Sequence, residues 1–534
     1  MSEAFTAAER AALSPYFSNL DSPVFVLLNM PEVVKGALFA RYSRSPKSLL
    51  RLFLDEFSEQ LPQGEGAAIG PPTVTAKGVA RAEDLYERVF VEYGDDSVAQ
   101  LGGVHLACEG VSNIATKVLE WGRLMAYLEQ STRYVPYDDQ PGGRYRYHIP
   151  AELTGDLRAR YVRTLDAAFD AYKAWLPRMR EHYSALHPKS PGESDAVYRM
   201  TIRAKALDTL RGLLPAATTS NVGLYGTGQA YEQLLLRMRA HPLAEARWYA
   251  DEMLCELRKV IPAFLRRVDA PGRGETWSSY LAGAHAATRT IAARLVGSTS
   301  PEPRDEVTLT DFDPDGEIKV IAAALYAASS LPDDQLLEAV RRMTHEGRCA
   351  VLVAYIGRRT NRRHKPGRAF ERTAYRFDIL GDYGAFRDLQ RHRLLTIEWQ
   401  PLSPQHGYMT PAAIEEAGAL ADWTRVMQDS AGLHDALAAA GLSELAPYAV
   451  AMAYRVRFYM HMNAREAMHV IELRTAPQGH PAYRRICQQM HRLIAERAGH
   501  RAIAEAMKFA DHEEVALERL EAERAAERRR FHVE

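Results

Sequence analysis

Cysteine is scarce in this chain. Cys108, Cys255, Cys349 and Cys487 are its four, widely scattered and with no CxxC pair. That excludes a zinc ribbon and a disulfide framework. No stretch of about 18 apolar residues occurs, so no membrane-spanning helix is expected. The opening segment, Met1 to Leu13, is polar and charged, unlike a secretory signal. Neither sign of charge is in excess: the net charge is −1, which gives no global pull toward nucleic acid or a membrane surface. Several motifs are missing as well. There is no Walker A loop, no GxGxxG, no HExxH and no convincing Ser-His-Asp order. No nucleophilic thiol and no metal site are expected. These absences read as a reduced, cytoplasmic protein with no nucleic-acid or membrane partner.

What is present is ordinary globular composition. The 534 residues are 47% hydrophobic and 25% charged, enough for two to four domains. Arginine far outnumbers lysine, so a lone Arg says little and only spaced arginines carry weight. The stretch Val296 to Asp305 is rich in Gly, Ser and Pro, which sets a linker at 291–306 between segments 1–290 and 307–534. Residues 58–78 and 138–148 read as loops, and the second opens an insertion around 140–200. The tail beyond His512 alternates charges, as a solvated helix with i,i+4 pairs does.

The two halves repeat one order of elements. Val24–Leu28 leads into a helical stretch at Lys35–Arg41, and Val307–Phe312 into one at Val320–Tyr326. A short alternating strand follows in each half. Val104, Leu106 and Cys108 share one face of the first, and Tyr375, Phe377 and Ile379 one face of the second. Each strand is followed by a helix that runs into an Arg motif, Trp121-Gly122-Arg123 or Arg391-His392-Arg393.

Three motifs invite chemistry. Two guanidinium groups flanking an imidazole repel one another, so Arg391-His392-Arg393 is either an exposed basic helix end or an anion site. Glu129, Ser131 and Arg133 alternate, which places an acceptor, a hydroxyl and a cation on one side of an extended loop; a polar turn capping the preceding helix is the alternative. Asn463, Ala467, Val470 and Arg474 fall on one stripe of a largely buried helix. A buried Arg there needs a partner, and Glu466 or Glu472 could form a structural salt bridge with it.

Taken together, these motifs resemble the flavin-dependent thymidylate synthases. That family's signature is Arg-His-Arg, seven residues, then Ser, preceded by Ser-x-x-Glu-His and followed by Asn-x-Arg and Leu-Arg on a helix. The first half matches over Gly94–Tyr134, through Ser97, Arg123 and Ser131; the second matches over Glu371–Arg393 and Arg457–Arg474. The departures are complementary. The first copy has Trp121-Gly122-Arg123 for Arg-His-Arg and Thr227-Gly228-Gln229 for Asn-x-Arg, yet keeps Glu129, Ser131, Arg133 and Arg211. The second has Trp399, Pro401, Ser403 and Pro447 in place of those four, yet keeps Arg391, His392, Arg393, Asn463, Arg465 and Arg474. Asp388 stands where the family has a nucleotide-contacting Gln, and Leu101 and Arg372 replace the His of Ser-x-x-Glu-His.

The resemblance implies an α+β protein of two fused copies of that fold, each a small sheet flanked by long helices. It implies FAD as cofactor, NADPH and methylenetetrahydrofolate as co-substrates, and dUMP as substrate. Glu129, Ser131, Arg133, Arg211, Arg391 and Arg474 would hold the nucleotide, with Arg474 polarising the uracil. Arg391, His392, Arg393, Asn463, Arg465 and Ser97 would contact FAD. One class of composite site would draw on both copies, and a homodimer would mimic the family homotetramer. The alternatives are C5 modification of another uridine nucleotide, or a non-catalytic flavin- or nucleotide-binding paralogue. A carboxylate at Asp388 would repel a pyrimidine carbonyl or a phosphate, which favours a different substrate.

Overall fold

Alternating apolar residues and capped strand ends build the same sheet twice. A computed structural model describes residues 4–30, 32–56, 100, 102–191 and 193–531. The first sheet is β1 (Val24–Val26), β2 (Gly103–Ser112), β3 (Met125–Glu129) and β4 (Thr219–Thr227). The second is β5 (Val307–Phe312), β6 (Ala374–Asp382), β7 (Thr396–Trp399) and β8 (Arg455–Asn463). Their orders are β1-β2-β4-β3 and β5-β6-β8-β7, antiparallel throughout. The architecture is therefore α+β in two copies. Residues 58–78, expected as a loop, lie outside the described residues.

The chain divides into two units. The first comprises Met1–Lys173, Leu214–Pro301 and Asp429–Val450; the second comprises Ala174–Leu213, Glu302–Gln428 and Ala451–Glu534. The two units do not follow the segments bounded at 290 and 307: 174–213 belongs to the second unit and 429–450 to the first. The helix Gly274–Val296 enters the stretch expected as a linker, and irregular backbone starts only at Gly297.

In both sheets the central strands run straight into helices, and each junction is capped by a polar side chain. Ser112 caps α1 (Asn113–Leu119), and Thr227 caps α4 (Gly228–Arg239). Asp382 caps α5 (Tyr383–Leu389), and Asn463 caps α6 (Ala464–Arg474). Each cap satisfies an N–H that the first helical turn leaves open, worth about 1 kcal/mol. The insertion supplies α2 (Gly155–Leu186) and α3 (Asp195–Leu210). After Arg474, α7 (Pro481–Glu496) closes over the second sheet.

Cores sit beneath each sheet. Val104, Leu106 and Cys108 are buried with Val222, Leu224 and Tyr231 in the first unit. Tyr375, Phe377 and Ile379 are buried in the second, with Phe458, Met460 and Ile486. The tail carries the Arg519–Glu523 i,i+4 pair and a helix at Leu520–Phe531. No described helix is long and apolar enough to cross a membrane.

Candidate nucleotide and flavin site

Arg391, His392 and Arg393 occupy the turn between α5 and β7. The triplet resolves its own repulsion by pointing its members apart. His392 is buried, Arg393 is exposed and Arg391 is half-buried, 3.9 Å from Asp388. Arg474, the last residue of α6, donates from Nε to His392 Nε2 across 2.8 Å. An imidazole nitrogen that accepts cannot carry a proton, so the His392 proton resides on Nδ1. That nitrogen faces Glu466, 3.7 Å away. Burial, reinforced by Arg474, holds His392 well below the usual histidine range. Burial pushes the Glu466 carboxyl up to about 7 and the neighbouring His469 down to about 4.

The stripe expected on this helix is corrected at two points. Asn463 is the N-cap rather than part of the helix, its side chain accepting from Glu466 N at 2.9 Å. Neither glutamate forms a salt bridge with Arg474. Glu472 is committed to Arg359 in a buried two-pronged pair, at 2.7 and 2.6 Å. The Arg474 guanidinium instead stacks on Tyr483, 5.4 Å from the ring centre. Arg465 donates to Pro366 O at 2.9 Å and lies 3.4 Å from Glu371.

His392, Glu466 and His469 also satisfy a metal-ligand geometry, their ligand atoms lying within 4.8 Å of one another. No spacing of these three residues along the chain pointed to the set. Its surroundings oppose a divalent cation. His392 Nε2 already takes a hydrogen from Arg474, and Lys365, Arg362, Arg393 and Arg465 all act electrostatically on the cluster. The same cations suit the phosphates and polar edges of a dinucleotide cofactor.

Arg211 comes from the first copy but lies in the second unit. It is 5% exposed and donates to Asp388 Oδ2 at 3.2 Å. A side chain on Gly384 would meet it, since an added Cβ there falls 2.9 Å from Arg211 Nε. The absence of a side chain at Gly384 therefore admits the guanidinium onto the start of α5. Asp388 is thus not a bare carboxylate: Arg211 and Arg391 flank it.

Glu129, Ser131 and Arg133 lie in the first unit. The expected extended loop is a turn instead, with Tyr134 N and Val135 N both donating to Ser131 O at 3.1 Å. Glu129 ends β3 and is buried, 3.3 Å from the ammonium of Lys117, which also binds Glu120 at 2.6 Å. Ser131 and Arg133 are half-buried, and the Ser131 hydroxyl accepts from Arg133 N at 3.3 Å. Ser97 and Leu101 lie outside the described residues.

The first unit's own motif positions are filled differently. Matching the capped junctions pairs Trp121 with Arg391, Gly122 with His392, Ile114 with Gly384, and Met238 with Arg474. Trp121 packs under Arg237 at 4.8 Å, Met238 is fully buried, and Ser112, Glu245 and Tyr448 close a buried hydrogen-bonded cluster. No imidazole–guanidinium pair can form at those positions. Sequence reasoning missed Gly384, His469 and Lys117. Gly384 against Ile114 was a visible signal, as was Lys117 among the apolar residues of its helix.

Two repeated four-stranded sheets, each ending in capped strand–helix junctions, define a duplicated α+β architecture. The description of the thymidylate synthase complementing protein family matches residues 50–263 and 308–498, and the chain belongs to that family. A UPF0159 protein of Chlamydia muridarum is 38% identical over 524 residues, covering 97% of this chain and 98% of that protein. A UPF0159 protein of Thermoplasma acidophilum is 32% identical, covering 92% of this chain and 97% of that one. A flavin-dependent thymidylate synthase of Mycobacterium sp. (strain JLS) is 30% identical over 182 residues, 33% of this chain and 67% of that enzyme. Among solved structures, a UMP/dUMP methylase PolB from Streptomyces cacaoi bound with 5-Br dUMP aligns at 18% identity and TM-score 0.30, covering 40% of this chain and all of that one.

Proposed function

We propose that this protein is an FAD-dependent enzyme of thymidylate synthase type, methylating dUMP to dTMP with methylenetetrahydrofolate and NADPH. The observation that carries the reading is the pairing of Arg211, from the first copy, with Asp388 on the helix that leads to Arg391, His392 and Arg393 of the second. A motif residue retained only in one copy thus stands beside motif residues retained only in the other. Family membership supports the flavin, through relatives named as flavin-dependent thymidylate synthases.

In this reading Arg391 and Arg474 grip the anionic and carbonyl groups of the nucleotide. Buried, neutral His392 fixes Arg474 so that its guanidinium needs no reorganisation when charge develops on the pyrimidine. Arg393, Arg465 and Asn463, with His392, would hold the flavin, and the exposed cations would face its phosphates. FAD, when bound, supplies the hydride chemistry; the protein supplies position and charge. By the resemblance, Glu129, Ser131 and Arg133 provide further nucleotide contacts, Ser97 a flavin contact, and a homodimer the assembly.

Asp388 favours a second reading, C5 modification of another uridine nucleotide, because a carboxylate replaces an amide that contacts the nucleotide in the family. Its pairing with Arg211 lessens that objection by neutralising the charge. The purified protein is expected to be yellow and to oxidise NADPH only when dUMP is present. Oxidation driven by UMP and not dUMP would select the second reading. A colourless, folded protein that leaves NADPH untouched would exclude both.

A further inference from the structure

Residues 358–365, Arg-Arg-Thr-Asn-Arg-Arg-His-Lys, carry five cations and no carboxylate. They lie between the helix His345–Ile356 and β6, and their shape is set from inside. Arg359 turns inward onto Glu472 and Ala506 O, and its Nε donates to His364 O at 2.6 Å, which closes the loop on itself. Asn361 Oδ1 accepts from Arg363 N at 2.9 Å, and His364 N donates to Asn361 O at 3.1 Å. One buried ion pair thus fixes the backbone while the other cations stay outside. Arg358, Arg363 and Lys365 are exposed, and Arg362 is half-buried. Among the described residues none of these four forms an ion pair, whereas nearby Arg368 and Arg372 are matched by Glu371 and Asp333. Like charges held on one fixed loop repel, and an anion bound among them removes that cost.

The loop lies beside the wall proposed for the flavin. Lys365 acts electrostatically on His392, Glu466 and His469, and Arg362 acts on His469. Arg393 and Arg465 serve the flavin in that reading, which leaves the loop cations for a second anion near the cofactor. Guanidinium forks suit the oxygens of a phosphomonoester, which carries about two negative charges at neutral pH. Such a group is what distinguishes NADPH from NADH, and arginine is the residue that accommodates it in dinucleotide sites. We infer that the loop binds the 2′-phosphate of the dinucleotide reductant through Arg362, Arg363 and Lys365, and so selects NADPH over NADH. This rests on the flavin-enzyme reading and deepens it.

The test is calorimetric titration of the full chain with FAD added, and it needs no turnover. Adenosine 2′,5′-bisphosphate should bind about tenfold or more tightly than adenosine 5′-monophosphate, the scale of one charge-assisted contact, and added salt should narrow the gap. Arg362→Gln/Arg363→Gln, which leaves the Arg359–Glu472 pair in place, should erase the gap by weakening the bisphosphate alone. Arg341→Gln/Arg342→Gln, which removes the same charge from another helix end, should keep it. No binding of the bisphosphate, equal binding of the two probes, or a gap that survives the loop substitution would overturn the proposal. So would displacement of the bisphosphate by dUMP, which would give the loop to the substrate phosphate, or by tetraglutamate, which would give it to a folate tail. Each of these failures leaves flavin colour and dUMP-dependent oxidation intact, whereas failure of the thymidylate synthase reading removes them whatever the two adenosine probes do.

Discussion

Arg474 donates to His392 Nε2 across 2.8 Å, and the imidazole proton is thereby confined to Nδ1, facing Glu466. One hydrogen bond fixes a tautomer, and the tautomer fixes a guanidinium. His392→Phe preserves the ring volume and removes the acceptor. It should lower kcat/KM for the nucleotide about 10²-fold, the scale of losing a preorganised polar contact, while thermal stability changes little. Steady-state NADPH oxidation would check it; unchanged kcat/KM would show that Arg474 needs no anchor.

The same cluster makes stability depend on pH in two opposing directions. Glu466 titrates near 7 in the folded protein, above its ordinary 4.5, so its contribution is present at low pH and is lost as pH rises through 7. His469 titrates near 4, below its ordinary 6.5, so the folded state loses stability as pH falls from 6.5 through 4. The two slopes oppose one another between about pH 4.5 and 6.5. Glu466→Gln should leave stability rising steadily with pH across that window. Urea titrations from pH 4 to 8 would show this, and identical profiles for both proteins would contradict it.

Gly384→Ala places a methyl group against Arg211, an end of a flexible side chain that can move. The protein should stay folded while Arg211 leaves Asp388. A carboxylate that has lost its Arg211 hydrogen bond would then face the nucleotide, raising KM for dUMP about tenfold or more. Gly384→Ala with unaltered KM would remove Arg211 from the nucleotide site.

Arg359 and Glu472 are each 2% exposed and form a two-pronged pair that also organises Ala506 O and Phe509 N. Arg359→Met leaves a buried carboxylate without its cation. A loss of about 3–5 kcal/mol is expected, measurable by denaturant unfolding. A loss below about 1 kcal/mol would mean that water reaches the pair.

Much of this was legible in the sequence. Alternation in Val104, Leu106 and Cys108, and in Tyr375, Phe377 and Ile379, located the central strands, because a half-buried strand must alternate. Complementary loss of motif residues pointed to a duplicated fold, and family membership confirms the resemblance. The spatial units were not legible. Segments 174–213 and 429–450 pack in the unit opposite to their own copy, and no local pattern encodes such an exchange. Hydrogen-bond partners were also hidden. Glu466 and Glu472 were both candidates for Arg474, but Arg359, more than a hundred positions away, claimed Glu472. The Ser131 turn went unread because alternation of polar residues alone does not distinguish an extended loop from a turn closed by its own backbone.

In the proposed function, surviving motif residues of both copies serve one pyrimidine-modifying reaction. Tritium release from [5-³H]dUMP, with NADPH and methylenetetrahydrofolate, reads that reaction at the carbon where it occurs. The wild-type protein should release tritium in step with NADPH oxidation, and Arg474→Ala should abolish release while circular dichroism remains native. Flavin-loaded, folded wild-type protein that releases no tritium from either dUMP or UMP would contradict the account.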